Sequence, residues 1–233
     1  MKRRTRNVCG LVLPLLLALC APCPASAQDV TGNPANWCRD GAFANDAKEF
    51  KLARVGGGRG ARAYFYGEDE GCPAPNVKCR QKAYVVAGDE VVVSRTFGDF
   101  VCAWYQPARG YETTGWVRAD QLNVTEANSN PPPARWVGEW ELHENSLSIR
   151  RDSKTGKLVV EGSAVWHGLG DNVHVGEVNA RAAPAGNALA LDDDICRITL
   201  RLVGDYLVAD DNGECGGANV TFDGVYRRKP TKK

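Results

Sequence analysis

The first feature of this chain is a run of short alternating or continuously apolar segments, none with a helical period. Arg62-Ala63-Tyr64-Phe65-Tyr66 is aromatic-rich, and Ala83-Tyr84-Val85-Val86 and Glu90-Val91-Val92-Val93-Ser94 flank the turn Ala87-Gly88-Asp89. Phe100 to Tyr105 and Gly115-Trp116-Val117 follow, separated by Pro107-Ala108-Arg109-Gly110. Beyond residue 134 the theme recurs at Lys157–Val160, Ser163–Trp166, Val173–Val178, Ala188–Leu191, Cys196–Leu202, Tyr206–Ala209 and Val220–Arg227. β-branched and aromatic runs of this length, punctuated by Gly, Asp and Asn, predict strands, and their spacing predicts barrels or sandwiches. No long amphipathic helix is predicted. Short helical turns are expected around Asn45–Phe50 and Arg118–Gln121.

The segment 127–134, Ala-Asn-Ser-Asn-Pro-Pro-Pro-Ala, has no apolar periodicity and reads as a stiff, extended spacer. It leaves roughly 100 residues on either side, an ordinary domain size. The expected organisation is a first domain at 28–126, a linker at 127–134, a second domain at 135–229 and a tail at 230–233.

The N-terminus changes the picture of where the chain works. Lys2, Arg3, Arg4 and Arg6 precede an apolar run from Val8 to about Ala21, followed by Pro24-Ala25-Ser26-Ala27-Gln28. That order is a secretory signal, expected to be cleaved after Ala27, with no transmembrane segment remaining after cleavage. The whole chain carries 29 Lys+Arg against 28 Asp+Glu; without the four leader cations it has 25 against 28. A slightly acidic protein lacks the basic footprint of a nucleic-acid binder. The basic cluster Arg227-Arg228-Lys229 with Lys232-Lys233 reads as a solvated terminus.

Of nine cysteines, three (Cys9, Cys20, Cys23) fall in the leader, and six remain: Cys38, Cys72, Cys79, Cys102, Cys196 and Cys215. An even set in an exported chain predicts a disulfide framework, hence a periplasmic or secreted location. The favoured pairing is Cys38–Cys102, Cys72–Cys79 and Cys196–Cys215, with no bridge crossing the linker. The last would close a loop of about 19 residues, worth roughly 3 kcal/mol. The spacings are not those of zinc ligands.

Lys82 to Val93 with its Gly88-Asp89 turn, Phe100-Val101-Cys102-Ala103-Trp104-Tyr105, and Thr114-Gly115-Trp116-Val117-Arg118-Ala119-Asp120-Gln121-Leu122 together resemble a bacterial SH3-like domain. In that family a closing Gly-Trp-Val leads through a short helical turn to a last apolar residue, here Leu122. The resemblance covers about residues 60 to 124. It implies a small barrel and a non-catalytic module that binds cell-wall peptides or protein partners. In place of the family's usual opening strand stand Tyr64–Gly71 and the loop Cys72–Cys79. Trp104 and Trp116 are expected to fill the small core, with Gly115 bending the chain so that Trp116 folds over the barrel end. In the second half, Gly138-Glu139-Trp140 resembles the Gly-x-Trp of lipocalin-like barrels, where the tryptophan plugs one end; small exported barrels with one such bridge include bacterial lysozyme inhibitors. The expected fold class is therefore all-β: an SH3-like small barrel, then a second small β-barrel or sandwich.

Candidate ligand-binding residues are Tyr64, Tyr66 and Tyr105, with Glu68 and Asp69 available for a positively charged group of a wall peptide. Aromatic faces suit sugars and peptide planes, and acidic neighbours steer cations. Gly-x-Ser-x-Gly, His-Glu-x-x-His and Walker sequences are all missing, so no catalytic motif is predicted. The acidic runs Asp192-Asp193-Asp194 and Asp210-Asp211-Asn212-Gly213-Glu214 lack EF-hand spacing and read as turns. His143, His167 and His174 are not in ligand-spaced pairs. The expected role is that of an exported envelope protein without cofactor or metal. Its expected partners are peptidoglycan or an envelope protein. The alternative is an inhibitor of an envelope-attacking hydrolase, acting through the second barrel.

Overall fold

A computed structural model describes residues 32–39, 42–45, 47–69 and 71–230. The expected leader and its cleavage site lie outside the described residues. Among the described residues fifteen strands, with three short 3-10 turns, form an all-β fold of two sheets. Among the described residues no helix is long and apolar enough to cross a membrane.

The first sheet contains β1 (Lys51–Val55), β2 (Arg62–Tyr66), β3 (Arg80–Val86), β4 (Glu90–Phe97), β5 (Phe100–Tyr105), β6 (Thr113–Arg118) and β7 (Leu122–Thr125). Their order is β3-β2-β6-β5-β4-β1-β7. A 3-10 turn at Ala119–Gln121 joins β6 to β7, as the sequence predicted. β1 was not legible, because Leu52 and Val55 are its only large apolar residues. Within the turn expected at Asn45–Phe50, residues 47–50 are irregular; Pro34–Trp37 forms a 3-10 turn in this arm, with the Asn33 side chain accepting from the Ala35 amide.

This sheet buries residues on both faces. One face encloses Ala53, Val55, Ala63, Phe65, Val85, Val91, Val93, Val101, Ala103, Val117 and Leu122. The other carries Val92, Phe100, Cys102, Trp104 and Trp116, beneath Phe43, Ala44, Ala47 and Phe50 of the N-terminal arm. Trp104 and Trp116 are thus buried, but outside the barrel's aliphatic interior rather than filling it. Gly115 is paired with Ala103 in regular strand, and its missing side chain makes room for the Phe65 ring instead of bending the chain. The arm is pinned by Cys38–Cys102, by the Trp116 indole donating to the Ala35 carbonyl at 2.7 Å, and by Arg95 donating to the Trp37 and Asn45 carbonyls.

The second sheet is a meander: β8 (Gly138–Leu142), β9 (Asn145–Arg151), β10 (Leu158–His167), β11 (Val173–Ala182), β12 (Ala188–Asp193), β13 (Cys196–Val203), β14 (Tyr206–Asp211) and β15 (Gly224–Arg228). Its order runs β11-β10-β9-β8-β15-β14-β13-β12, so that β15 pairs with β8 and closes most of a barrel. At the remaining seam, the Asn179 amide of β11 donates to the Asp193 carboxylate of β12 at 2.7 Å. The interior is filled by Trp140, Leu147, Ile149, Leu158, Val160, Leu189, Ile198, Leu200, Leu207 and Tyr226. Arg228 stacks on the Trp140 ring at 4.2 Å and donates to the Val137 and Arg135 carbonyls. The run Val220–Asp223, expected as strand, instead belongs to the loop after β14. Asp211 holds it there by accepting from the Thr221 hydroxyl and the Phe222 amide. Gly176 allows this loop to lie against β11, since a Cβ there would meet the Cys215 carbonyl oxygen at 2.1 Å.

The remaining disulfides are Cys72–Cys79 and Cys196–Cys215, the pairing the sequence favoured. Three bridges place the folded chain in an oxidising, extracytoplasmic environment. The proline-rich segment joins the barrels without holding them apart. Val203, Val208 and Val225 of the second barrel enter the same apolar cluster as Phe43, Phe50 and Trp104, and Tyr206 meets Trp104 edge-on at 5.7 Å.

Candidate functional site

The residues proposed from sequence do not converge. Tyr64 lies on the outward face of the β2–β3 hairpin against Tyr84. Tyr66, two positions on, packs edge-on against Phe100 at 5.0 Å and is half-buried. Glu68 is tied to Arg39 of the arm at 3.4 Å. Asp69 is exposed, and its backbone carbonyl accepts from the Cys72 amide. Tyr105 stands at the far end of β5 near Asp89 and Tyr206; burial first, then the Asp89 carboxylate, raises its phenol above the ordinary value.

What the fold does bring together is a cleft between the two barrels, of ≈ 220 Å³. Phe43 and Ala44 of the arm, Trp104 of β5, and Glu112 and Thr114 at the start of β6 form one wall. Leu142 and His143 of the β8–β9 turn, with Asp223, Gly224 and Val225 at the start of β15, form the other. His143 adopts φ 52°, a conformation uncommon for a residue with a side chain. Its Nε2 meets Glu112 Oε1 at 2.6 Å, across the junction of the barrels. The neighbouring turn residue, Glu144, pairs instead with His167 at 2.5 Å in its own barrel.

The second Glu112 oxygen, Oε2, is buried and has no hydrogen-bond partner among the described residues. Burying a carboxylate oxygen without a donor is costly, so this atom marks a position for an incoming donor. Asp223 accepts from the Asp211 amide at 2.6 Å. Its carboxyl is pushed up to about 7 by burial, and next by the neighbouring Asp211 charge. The cleft therefore offers a carboxylate oxygen with no donor among the described residues, a carboxyl that changes charge near neutrality, and an aromatic wall from Phe43 and Trp104. That combination suits a small cationic group: the carboxylate accepts its protons and the rings provide apolar and cation–π contact.

Sequence reasoning missed Glu112, His143 and Asp223. Glu112 sits in a turn-rich stretch, and His143 and Asp223 sit in separate turns 80 residues apart; no spacing connects them. His174, near the opposite Trp166 ring, places Nδ1 2.6 Å from the Ala218 carbonyl and takes no part in the cleft. No family model matches the chain, and neither a curated protein nor a solved structure does.

Proposed function

We propose that this chain is an exported, non-catalytic binding protein of the bacterial envelope, whose inter-barrel cleft takes the amine-bearing part of a wall peptide. The observation that carries this reading is the buried, unpartnered Glu112 Oε2 beside Trp104 and Phe43. The SH3-like reading of the first half is supported by the segment β7-β1-β4-β5-β6 of its strand order, and by Gly115-Trp116-Val117 running through a 3-10 turn to buried Leu122. In this reading the ligand does not lie on the tyrosines of the hairpin; it lies where the second barrel meets the outer face of the first.

The test is calorimetric titration of the exported chain with soluble stem peptides carrying a free side-chain amine or the same amine acetylated. The free amine is expected to bind. Acetylation, or Glu112→Gln, is expected to weaken binding by about tenfold or more, the worth of a charge-assisted hydrogen bond. Equal affinity for both peptides would end the reading.

A second reading, inhibition of an envelope-attacking hydrolase, is supported by the β10–β11 hairpin. Its tip residue Leu169 is 97% exposed between two glycines, with Val173 and Val175 exposed behind it. Loss of lysozyme activity in the presence of the chain would favour this reading over the first.

A further inference from the structure

The hairpin β2–β3 leaves a separate feature unexplained by the cleft. Its inward positions, Ala63, Phe65 and Val85, belong to the interior of the first barrel. By alternation the outward positions are Arg62 and Tyr64 on one strand, and Arg80, Lys82, Tyr84 and Val86 on the other. Register sets Tyr64 opposite Tyr84, with ring centroids 5.6 Å apart. Arg62 lies over the Tyr84 ring at 4.2 Å and Arg80 over the Tyr64 ring at 4.6 Å. The result is an interleaved set of two rings and two guanidinium groups, with Lys82 exposed beside it.

No carboxylate among the described residues stands within ion-pair distance of Arg62, Arg80 or Lys82. Several cations elsewhere are neutralised by an acid: Lys51 pairs with Glu126, Arg54 with Glu90, Arg118 with Asp120, Arg135 with Asp205 and Arg150 with Glu161. β3 is the last strand of its sheet, so the hairpin is open along its β3 edge, and Tyr84 and Val86 remain 40% and 38% exposed. Three cations side by side, with no acid at ion-pair distance among the described residues, in a chain that is slightly acidic once its expected leader is set aside, are a local concentration of positive charge rather than a general one.

From this we infer that the outward face of the β2–β3 hairpin is a docking surface for an acidic polysaccharide. Stacking on tyrosine restricts each guanidinium before any ligand arrives, so less side-chain freedom is lost on binding. A guanidinium fork grips a carboxylate or sulfate through two parallel hydrogen bonds, whereas Lys82 acts as a point charge. Outward residues on one strand recur every ~7 Å, so Arg80 and Lys82 meet successive charges of a chain molecule. The tyrosines supply apolar surface for sugar rings. A nucleic acid fits less well: one face of each ring is taken by arginine, and the acidic remainder of the protein repels a denser polyanion.

The surface is tested with the whole exported chain against alginate, a polyuronate, with neutral dextran and duplex DNA as comparisons. Alginate is expected to bind at low ionic strength, to weaken as salt rises, and to outcompete both comparisons. The double variant R62Q/R80Q is expected to lose about tenfold or more in affinity. R62K/R80K, which keeps the charge but not the fork, is expected to lose severalfold. R150Q, which removes an already paired cation, is expected to change nothing. Lys82→Gln, at an exposed position outside the stack, gives a second reading should the double variant fold poorly. Binding of dextran or DNA as tight as that of alginate, or full affinity in both R62Q/R80Q and K82Q, would overturn the assignment. Glu112→Gln leaves alginate binding unaltered if the two sites are separate, so a failure here is distinguishable from a failure of the cleft.

Discussion

The two barrels solve the same packing problem differently. The second keeps most of its large aromatics inside: Trp136, Trp140, Phe222 and Tyr226 share one cluster with the strand aliphatics. The first holds mostly alanine and valine inside and places Trp104, Trp116 and Phe100 on the opposite face of its sheet. Those rings are buried only because the N-terminal arm and the second barrel lie over them. A sheet with two apolar faces needs two covers, so the first half depends on parts outside its own strands, while the second carries its core within itself. The dependence also places the cleft, which lies where the covering elements leave Trp104, Glu112 and Asp223 along a shared boundary.

The largest expected effect probes that dependence. Trp116→Ala should cost ~3–5 kcal/mol in chemical denaturation, the usual range for emptying a large buried aromatic site. It also removes the indole donor to the Ala35 carbonyl, so the arm should become cleavable by protease between residues 32 and 50. Trp140→Ala should cost a similar amount without exposing the arm. If both variants left the arm equally protected, the contrast between the barrels would be broken.

Removal of single bridges sharpens the same contrast. Cys38–Cys102 spans 64 residues, and replacing both cysteines by serine should cost about 4 kcal/mol; Cys196–Cys215 spans 19, and its loss should cost about 3 kcal/mol. The first change should release the arm and the second should not, as read by hydrogen exchange at the amides of residues 42–50.

The smallest effect is a pH dependence located at the boundary. Asp223 sits at about 7 in the folded chain, against an ordinary aspartate value near 4 when unfolded. Between those values the folded state holds the proton more tightly. The stabilisation is full below about pH 4 and is lost as pH rises to about 7, by roughly 2–4 kcal/mol. Asp223→Asn, which keeps an acceptor for the Asp211 amide, should flatten this slope in denaturant titrations run across the window. A slope that persists in the variant would place its origin elsewhere.

Much of the architecture was readable because strand periodicity is local. Arg62–Tyr66 and Phe100–Tyr105 match observed strands at both ends, and most of the runs beyond residue 157 fall within strands. β1 and β9 escaped notice: charged or polar residues interrupt Lys51–Val55 and Asn145–Arg151, and pairing with neighbours stabilises them. The candidate site was illegible for a related reason. Glu112, His143 and Asp223 come from three turns whose proximity depends on how the barrels pack, and nothing in their local sequence encodes that contact.

The sequence by itself determined the all-β class, the strand-rich halves on either side of residues 127–134, and an even set of cysteines whose spacing favoured the observed bridges. These follow from side-chain shape, backbone restriction by glycine and proline, and covalent chemistry, all of which act over a few residues or depend on counting. Only the tertiary structure decided which face of the first sheet the tryptophans occupy, that the barrels share an apolar cluster, and that a carboxylate oxygen is buried between them without a donor among the described residues. Those outcomes depend on which surfaces exclude water from one another, a property of the assembled chain that alternation along a strand cannot specify.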